Sequence, residues 1–415
     1  MATDIVVALG TATVGGVALL GVNHHGSGRT RHVLKRCPGR SCSPDETLFL
    51  NGVRVPQPRH SFTVLGVHEP GAWGLRHGVN ERHVAVAATQ WRSRIERTSP
   101  GLSGPDLVRL TLERSHSARH AVETLTELIG RHGQGTDETG AARDHVFLLA
   151  DGRECYLLEA AGRHWALQEC EQARAVSDAA LIRQDWTRLA PGLADLAIRR
   201  GWWDDDGSKL DFAGRLALTG PEHAFALKRW GRATLLLEQQ SGHLDAHGIR
   251  RLLIEHFEDT VVQRRPDPVA PPPRLQASFL VELPLDPSEV CLAWIGLGRG
   301  ANELFFPVFL EGEPPDILEQ GVDGPFASPY RYVDPEAMYA GPTEVDRLQA
   351  RLDQEAEACL ADLSSLKRQG ATQVVARQAT AFMHAQAELL ALPNAPAQAP
   401  ARDWAREYDF AFVTE

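Results

Sequence analysis

The chain opens MATDIVVALGTATVGGVALLGVNHH, and this stretch limits the fold more than any other. Two β-rich runs, residues 5–9 and 17–22, flank the pair Gly15-Gly16, which is the pattern of a β-hairpin. An export signal would place basic residues ahead of its apolar core. Here the first charge is Asp4, and no Lys or Arg precedes Arg29. Gly10, Thr11 and Thr13 also interrupt the apolar run. The N-terminus therefore reads as the first element of the fold.

Beyond the hairpin the hydrophobic period changes in blocks. Residues 62–91 alternate short β-rich runs with glycines and read as strands. Ser103, Pro105 and Asp106 open a helix. Ser117 caps a second one, with Val122, Leu125 and Ile129 as its apolar stripe and Gly133 as its stop. Residues 144–167 return to strands around an Asp151-Gly152 turn, and 187–200 and 231–259 again look helical. The run VVQRRPDPVAPPP, 261–273, predicts an exposed loop, followed by strands at 277–283 and 290–297. Residues 343–391 read as one or two polar helices, dividing the chain into a main domain, 1–342, and a helical C-terminal extension, 343–415. Strand and helix blocks in this order favour an α+β layered fold over a doubly wound parallel sheet.

Composition excludes several function classes. The 415 residues carry a formal net charge of −11, which disfavours binding to nucleic acid or to an anionic membrane. No run approaches the 18 or more uncharged apolar residues of a membrane span. The six cysteines form no Cys-x-x-Cys pair, so reduced thiols and a cytoplasmic setting are expected.

Local motifs supply no chemistry. His243 and His247 have the four-residue spacing of a zinc-peptidase helix, but Leu244 stands where its glutamate belongs. His116 and His120 share the spacing on an ordinary amphipathic helix and are expected to face solvent. GLGRG, 296–300, lacks the spacing and following helix of a dinucleotide loop. There is no Gly-x-Ser-x-Gly elbow and no phosphate-binding Gly-Lys-Ser/Thr loop, and neither a metal nor a cofactor is expected. Any chemistry must come from residues distant in sequence.

Several segments together resemble the secernin and dipeptidase family of N-terminal-nucleophile hydrolases. WGLRHGVNERHVAVAATQW, 73–91, is similar to the family's Trp-Gly…Gly-x-Asn-Glu-x-x-Val signature. SARHAVETLTELIGRHGQG, 117–135, is similar to its helix ending in a Gly-Gln-Gly turn. The run 147–159, AGRHWA, RAVSDAALI, GWWD, EVCLAWIGLG and FFPVF follow in the family's order, so the likeness spans roughly residues 3–312. It implies a four-layer αββα sandwich and hydrolysis of amide bonds in short peptides. It also implies a nucleophile at the first residue of the mature chain, with that residue's own α-amine as base.

The same resemblance marks the candidate site. Thr3 stands where the family has its nucleophilic cysteine, and would become N-terminal on loss of Met1 and Ala2. The family's Gly-Lys-Asn-Ser-Asp-Arg becomes Gly21-Val22-Asn23-His24-His25-Gly26, which keeps Asn23 and puts His25 in the carboxylate's place as a replacement base. Asn80 is retained as an oxyanion donor. Asp178 replaces an asparagine, and an ionised carboxylate there repels a developing oxyanion. The resemblance thus points to a dipeptidase-like hydrolase using Thr3, Asn23, His25, Asn80 and Asp178, with a small peptide or amide as partner and a homo-oligomer left open. The alternative is a catalytically degenerate member whose cleft, with His24, His25 and Asp178, binds a ligand or a protein.

Overall fold

The computed structural model describes residues 2–26, 32–96, 100–135, 143–253, 274–296, 304–320 and 344–391. The proline-rich run 261–273, residues 254–259 of the expected helix and 297–300 of the GLGRG run lie outside the described residues.

The opening hairpin forms as its sequence predicts. Strand β1 (Ala2–Ala8) leads through a single 3-10 turn, Gly10–Ala12, into β2 (Ala18–Gly26). The connection depends on glycine at two places. A Cβ on Gly10 would lie 2.3 Å from the carbonyl oxygen of Gly16, and Gly16 itself has φ +69.

The hairpin sits inside a six-stranded sheet ordered β14 (Ala173–Val176), β1, β2, β16 (Arg274–Leu283), β17 (Leu292–Gly296) and β18 (Phe306–Phe309). An eight-stranded sheet covers one face of it. Its order is β15 (Arg188–Leu189), β13 (His164–Cys170), β12 (Cys155–Ala161), β11 (Asp144–Ala150), β10 (Ala85–Trp91), β9 (His77–Asn80), β8 (Val64–His68) and β3 (Val33–Cys37). Two small ribbons, β4 (Arg40–Ser41) with β7 (His60–Ser61) and β5 (Thr47–Leu50) with β6 (Val53–Pro56), complete the strands. All named pairings are antiparallel. The sheets meet face to face: the His77 ring lies 5.2 Å from that of Phe279, and Thr89 of β10 reaches the carbonyl oxygen of Thr3 at 3.5 Å.

Helices close both outer faces. Helices α1 (Gly104–Leu112) and α2 (Ala118–His132) pack on the eight-stranded sheet, each started by the serine the sequence marks. Ser103 and Asp106 form a reciprocal capping box, Ser117 accepts from the N–H of His120, and Gly133 stops α2 at φ +74. After α3 (Leu193–Arg199) and α4 (Phe212–Leu216), helices α5 (Pro221–Gln239) and α6 (Ala246–Leu253) cover the six-stranded sheet. The result is the expected α+β, four-layer αββα sandwich.

The C-terminal helices, Glu344–Arg368 and Thr372–Ala391, do not stand apart from it. They pack on β18, where Met383 Sδ accepts from the N–H of Phe309 and the Phe309 and Phe382 rings meet edge to face. Arg250 of α6 grips Asp353 with two hydrogen bonds of 2.8 and 2.7 Å. Leu352, Ala356, Leu363, Val375, Ala379 and Met383 are buried, so these helices extend the core. No helix among the described residues is long and apolar enough to cross a membrane. The six cysteines are free thiols.

Candidate active site

Side chains alternate along a strand, so neighbours in sequence point to opposite faces of the sheet. In the β1–β2 register Thr3 is opposite His24, Asp4 opposite Asn23 and Ala2 opposite His25. Thr3 and His24 therefore share the face turned toward the eight-stranded sheet. Thr3 Oγ1 lies 2.9 Å from His24 Nδ1, and both residues are buried, with 6% and 1% of their surface exposed. Burial holds the His24 pKa well below the usual histidine value, and Arg76, His32, His77 and His25 push it the same way. The ring is neutral near pH 7, and in the tautomer that carries its hydrogen on Nε2 its Nδ1 accepts the threonine hydroxyl's hydrogen bond.

Behind Thr3 stands Asp178, in the loop that follows β14. Its carboxylate accepts from the backbone N–H of Thr3, at 3.1 Å to Oδ2 and 3.3 Å to Oδ1, from the Thr89 hydroxyl and from Arg229 Nη2. Arg229 comes from α5 with its side chain almost wholly buried, and its Nε lies 3.4 Å from Asp4 Oδ1. One guanidinium thus lies between two carboxylates and compensates the charge of Asp178. The Ser177 hydroxyl donates to Asp4 from the same loop.

Farther along, the loop hangs on Glu159 of β12. This carboxyl group accepts from the backbone N–H groups of Leu181 and Ile182. It is fully buried, and burial pushes its pKa up to about 8 against the opposing pull of those N–H groups.

A pocket opens over the Thr3–His24 pair, walled by Arg76, Ala88, Thr89, Gln90, Pro105, His145 and Asp178. Among its neighbours, the His32 ring lies 4.3 Å from that of His24, and burial lowers the His77 pKa to about 3. His145 Nδ1 is 2.8 Å from the side-chain oxygen of Gln134.

Of the five residues marked from sequence, Thr3 and Asp178 come together and the other three do not join them. Asn23 faces α6, where its amide donates to the Leu253 carbonyl and its oxygen accepts from Ser278 at 2.8 Å. His25 shares that outer face, with Nε2 4.0 Å from Asp4 Oδ2. The residue that meets Thr3 is its neighbour His24, because the register puts the even-numbered histidine inward. Asn80 is fully buried, donating to the carbonyls of Leu112 and Ser115, each at 2.7 Å. Its oxygen accepts from the N–H groups of Arg82 and Val84, each at 3.0 Å. With both hydrogens engaged it ties the β9–β10 turn to the end of α1 and has none to offer an oxyanion.

Thr89 and Arg229 carried no sequence signal of their own. Thr89 sits in an ordinary strand run and Arg229 on a helix with solvent-facing charges on either side. His24 was legible only as half of a histidine pair. Of the two spaced histidine pairs, His243 precedes α6 and both it and His247 are exposed, while the His116 and His120 rings lie 4.3 Å apart at the start of α2. Among the described residues no group of three His, Cys, Asp or Glu side chains is placed to hold a metal ion.

Fold and site together define an αββα sandwich protein with a buried Thr–His pair at the start of its first strand. Known structures of similar arrangement include a variant of conjugated bile acid hydrolase from Clostridium perfringens, with 11% identity, TM-score 0.45, and coverage of 77% of this chain and 95% of that one. Another is penicillin V acylase from Agrobacterium tumefaciens, with 13% identity, TM-score 0.42, and 74% and 86% coverage. A third is the Caenorhabditis elegans N-acylethanolamine-hydrolyzing acid amidase ortholog, with 10% identity, TM-score 0.31, and 67% and 91% coverage. No family model matches the chain.

Proposed function

We propose that this protein is an amide hydrolase built on the fold of the N-terminal-nucleophile hydrolases, acting through Thr3 on short peptides or comparably small acyl amides, the substrate class that its resemblance to the secernin and dipeptidase family implies. The observation that carries this reading is the 2.9 Å contact between Thr3 Oγ1 and the neutral, buried His24 at the floor of a pocket. A threonine hydroxyl is a weak nucleophile unless a base stands within hydrogen-bond reach. Asp178 holds the Thr3 backbone in place. The oxyanion needs donors other than Asn80, and the pocket wall offers the amide of Gln90 and the guanidinium of Arg76. The six free thiols accord with a reducing, cytoplasmic setting.

The test is amine release from a panel of dipeptides and N-acyl amino acids by the wild type and by Thr3→Ala. The variant is expected to remain folded and to lose at least about 10³-fold in kcat/KM. Turnover that survives in Thr3→Ala rejects Thr3 as nucleophile. The engaged amide of Asn80 favours a second reading, a degenerate member that binds such ligands in the same pocket. Saturable binding of the same amides with no turnover by the wild type would select it.

A further inference from the structure

We propose that His24 is the general base that activates Thr3, so that Thr3 works as an internal residue with Ala2 still attached. The inference rests on reading Thr3 as the nucleophile and departs from a mechanism in which the α-amine is the base. Three observations carry it.

In the chain as encoded, the Thr3 nitrogen is a peptide N–H that donates to Asp178, and a peptide nitrogen has no basic lone pair. The hydroxyl already has a different partner, His24 Nδ1. The β1–β2 ladder also extends past Thr3, since Ala2 is in register with His25. The residue before Thr3 is thus part of the sheet that aligns Thr3 with His24.

The surroundings of His24 suit a base that starts neutral. Arg76 and His77 face it from the start of β9, His32 from the approach to β3, and His25 is its neighbour in the chain. Glu69 is paired with Arg76 and lies 3.7 Å from His32. Asp178, beyond Thr3, is neutralised by Arg229. With Nδ1 accepting, the ring hydrogen resides on Nε2.

In the reaction, the bond from Thr3 Oγ to the substrate carbonyl carbon forms as the hydroxyl proton passes to His24 Nδ1. The C–N bond then breaks, and the same proton goes to the leaving nitrogen, giving a Thr3 ester and a free amine. Water adds to the ester while its proton passes to Nδ1. The C–Oγ bond breaks as that proton returns to Oγ, releasing the acid.

A β-lactone tests the activation without the natural substrate, because ring opening acylates an activated threonine hydroxyl. The full chain is treated with the lactone from pH 4.5 to 9, and mass spectrometry locates the acyl group and reads the N-terminus of the labelled molecules. Amide turnover is followed in parallel. Acylation of Thr3 is expected in molecules that retain Ala2, with the acid limb of the rate below the ordinary histidine pKa of about 6.5. His24→Gln should slow labelling at least about a hundredfold, whereas His25→Gln should leave the plateau rate unchanged and move the limb at most slightly upward, since His25 is the smallest of the influences on His24.

Labelling confined to molecules that begin at Thr3, with a limb near the α-amine value of about 7.7–8.0, overturns the inference. So does the absence of any label on Thr3. Should His24→Gln fail to fold, the wild-type limb and the N-terminus of labelled molecules still decide. Labelled Thr3 with no amide hydrolysed would reject the amide-hydrolase reading while leaving His24's activation of Thr3 standing.

Discussion

The two faces of the β1–β2 hairpin carry the same kinds of residues and use them differently. On the inner face Thr3 meets a neutral histidine under a pocket. On the outer face Asp4, Asn23 and His25 meet Arg229, Ser177 and the end of α6. Asp4 is met by Arg229 and the Ser177 hydroxyl, Asn23 bonds the Leu253 carbonyl and Ser278, and the pocket is lined by none of these residues. Inward, the Thr3–His24 pair borders a small pocket. The contrast shows that a histidine's surroundings assign its role, since His24 and His25 differ by one position in the chain.

Substitutions on the outer face should damage stability and spare the chemistry, and Arg229→Ala should do the most damage. It leaves Asp4 and Asp178, with side chains only 11% and 19% exposed, without their shared cation. Chemical denaturation should show a loss of about 3–5 kcal/mol. Because Asp178 also anchors Thr3, this is the one outer-face change expected to reach the inner face, as slower labelling of Thr3.

Asn23→Ala removes the hydrogen bonds that Asn23 makes with the Leu253 carbonyl and the Ser278 hydroxyl. The expected cost is about 2 kcal/mol by urea unfolding, with the pH profile of activity unmoved. A shift of that profile would place Asn23 in the chemistry and erase the contrast between the faces.

Glu159 tests the support of the Asp178 loop. Its folded pKa of about 8 lies above the ordinary carboxyl value of 4.5, so the folded state keeps a proton that the unfolded chain releases. Its contribution to stability is full below pH 4.5 and is lost as pH rises toward 8, by at most about 1.4 kcal/mol per pH unit. In Glu159→Gln that loss is absent, so the difference in unfolding free energy between wild type and variant should slope across this window and level off above it. A flat difference would mean that the group is ionised throughout.

The smallest effect is expected from His25→Ala. The 4.0 Å approach to Asp4 is weak, and Arg229 and Ser177 already serve that carboxylate. Stability should change by less than about 0.5 kcal/mol and turnover should not change. A large loss of turnover would move the base to the outer face and reverse the assignment.

Much of the framework was legible because its signals are local. Ser103, Asp106, Ser117 and Gly133 act within a few residues of themselves, and each does in the structure what its residue type predicts. Thr3 and Asp178 could be marked by resemblance alone. Asn80 could not be assigned that way, since the same amide serves an oxyanion or a turn depending on whether Leu112 and Ser115 reach it first. Arg229 was invisible because its partners, Asp4 and Asp178, lie in distant parts of the chain.

The sequence by itself determined that the chain starts with a hairpin, that Thr3 lies at its beginning and that a histidine pair lies at its far end. It also determined the layered order of strands and helices. Only the tertiary structure decided which histidine serves Thr3. A strand's side chains repeat every two residues, so a one-residue change in register exchanges His24 for His25. That register is set by the glycine-dependent connection and by packing between the sheets and α6, none of which is written in VNHH itself.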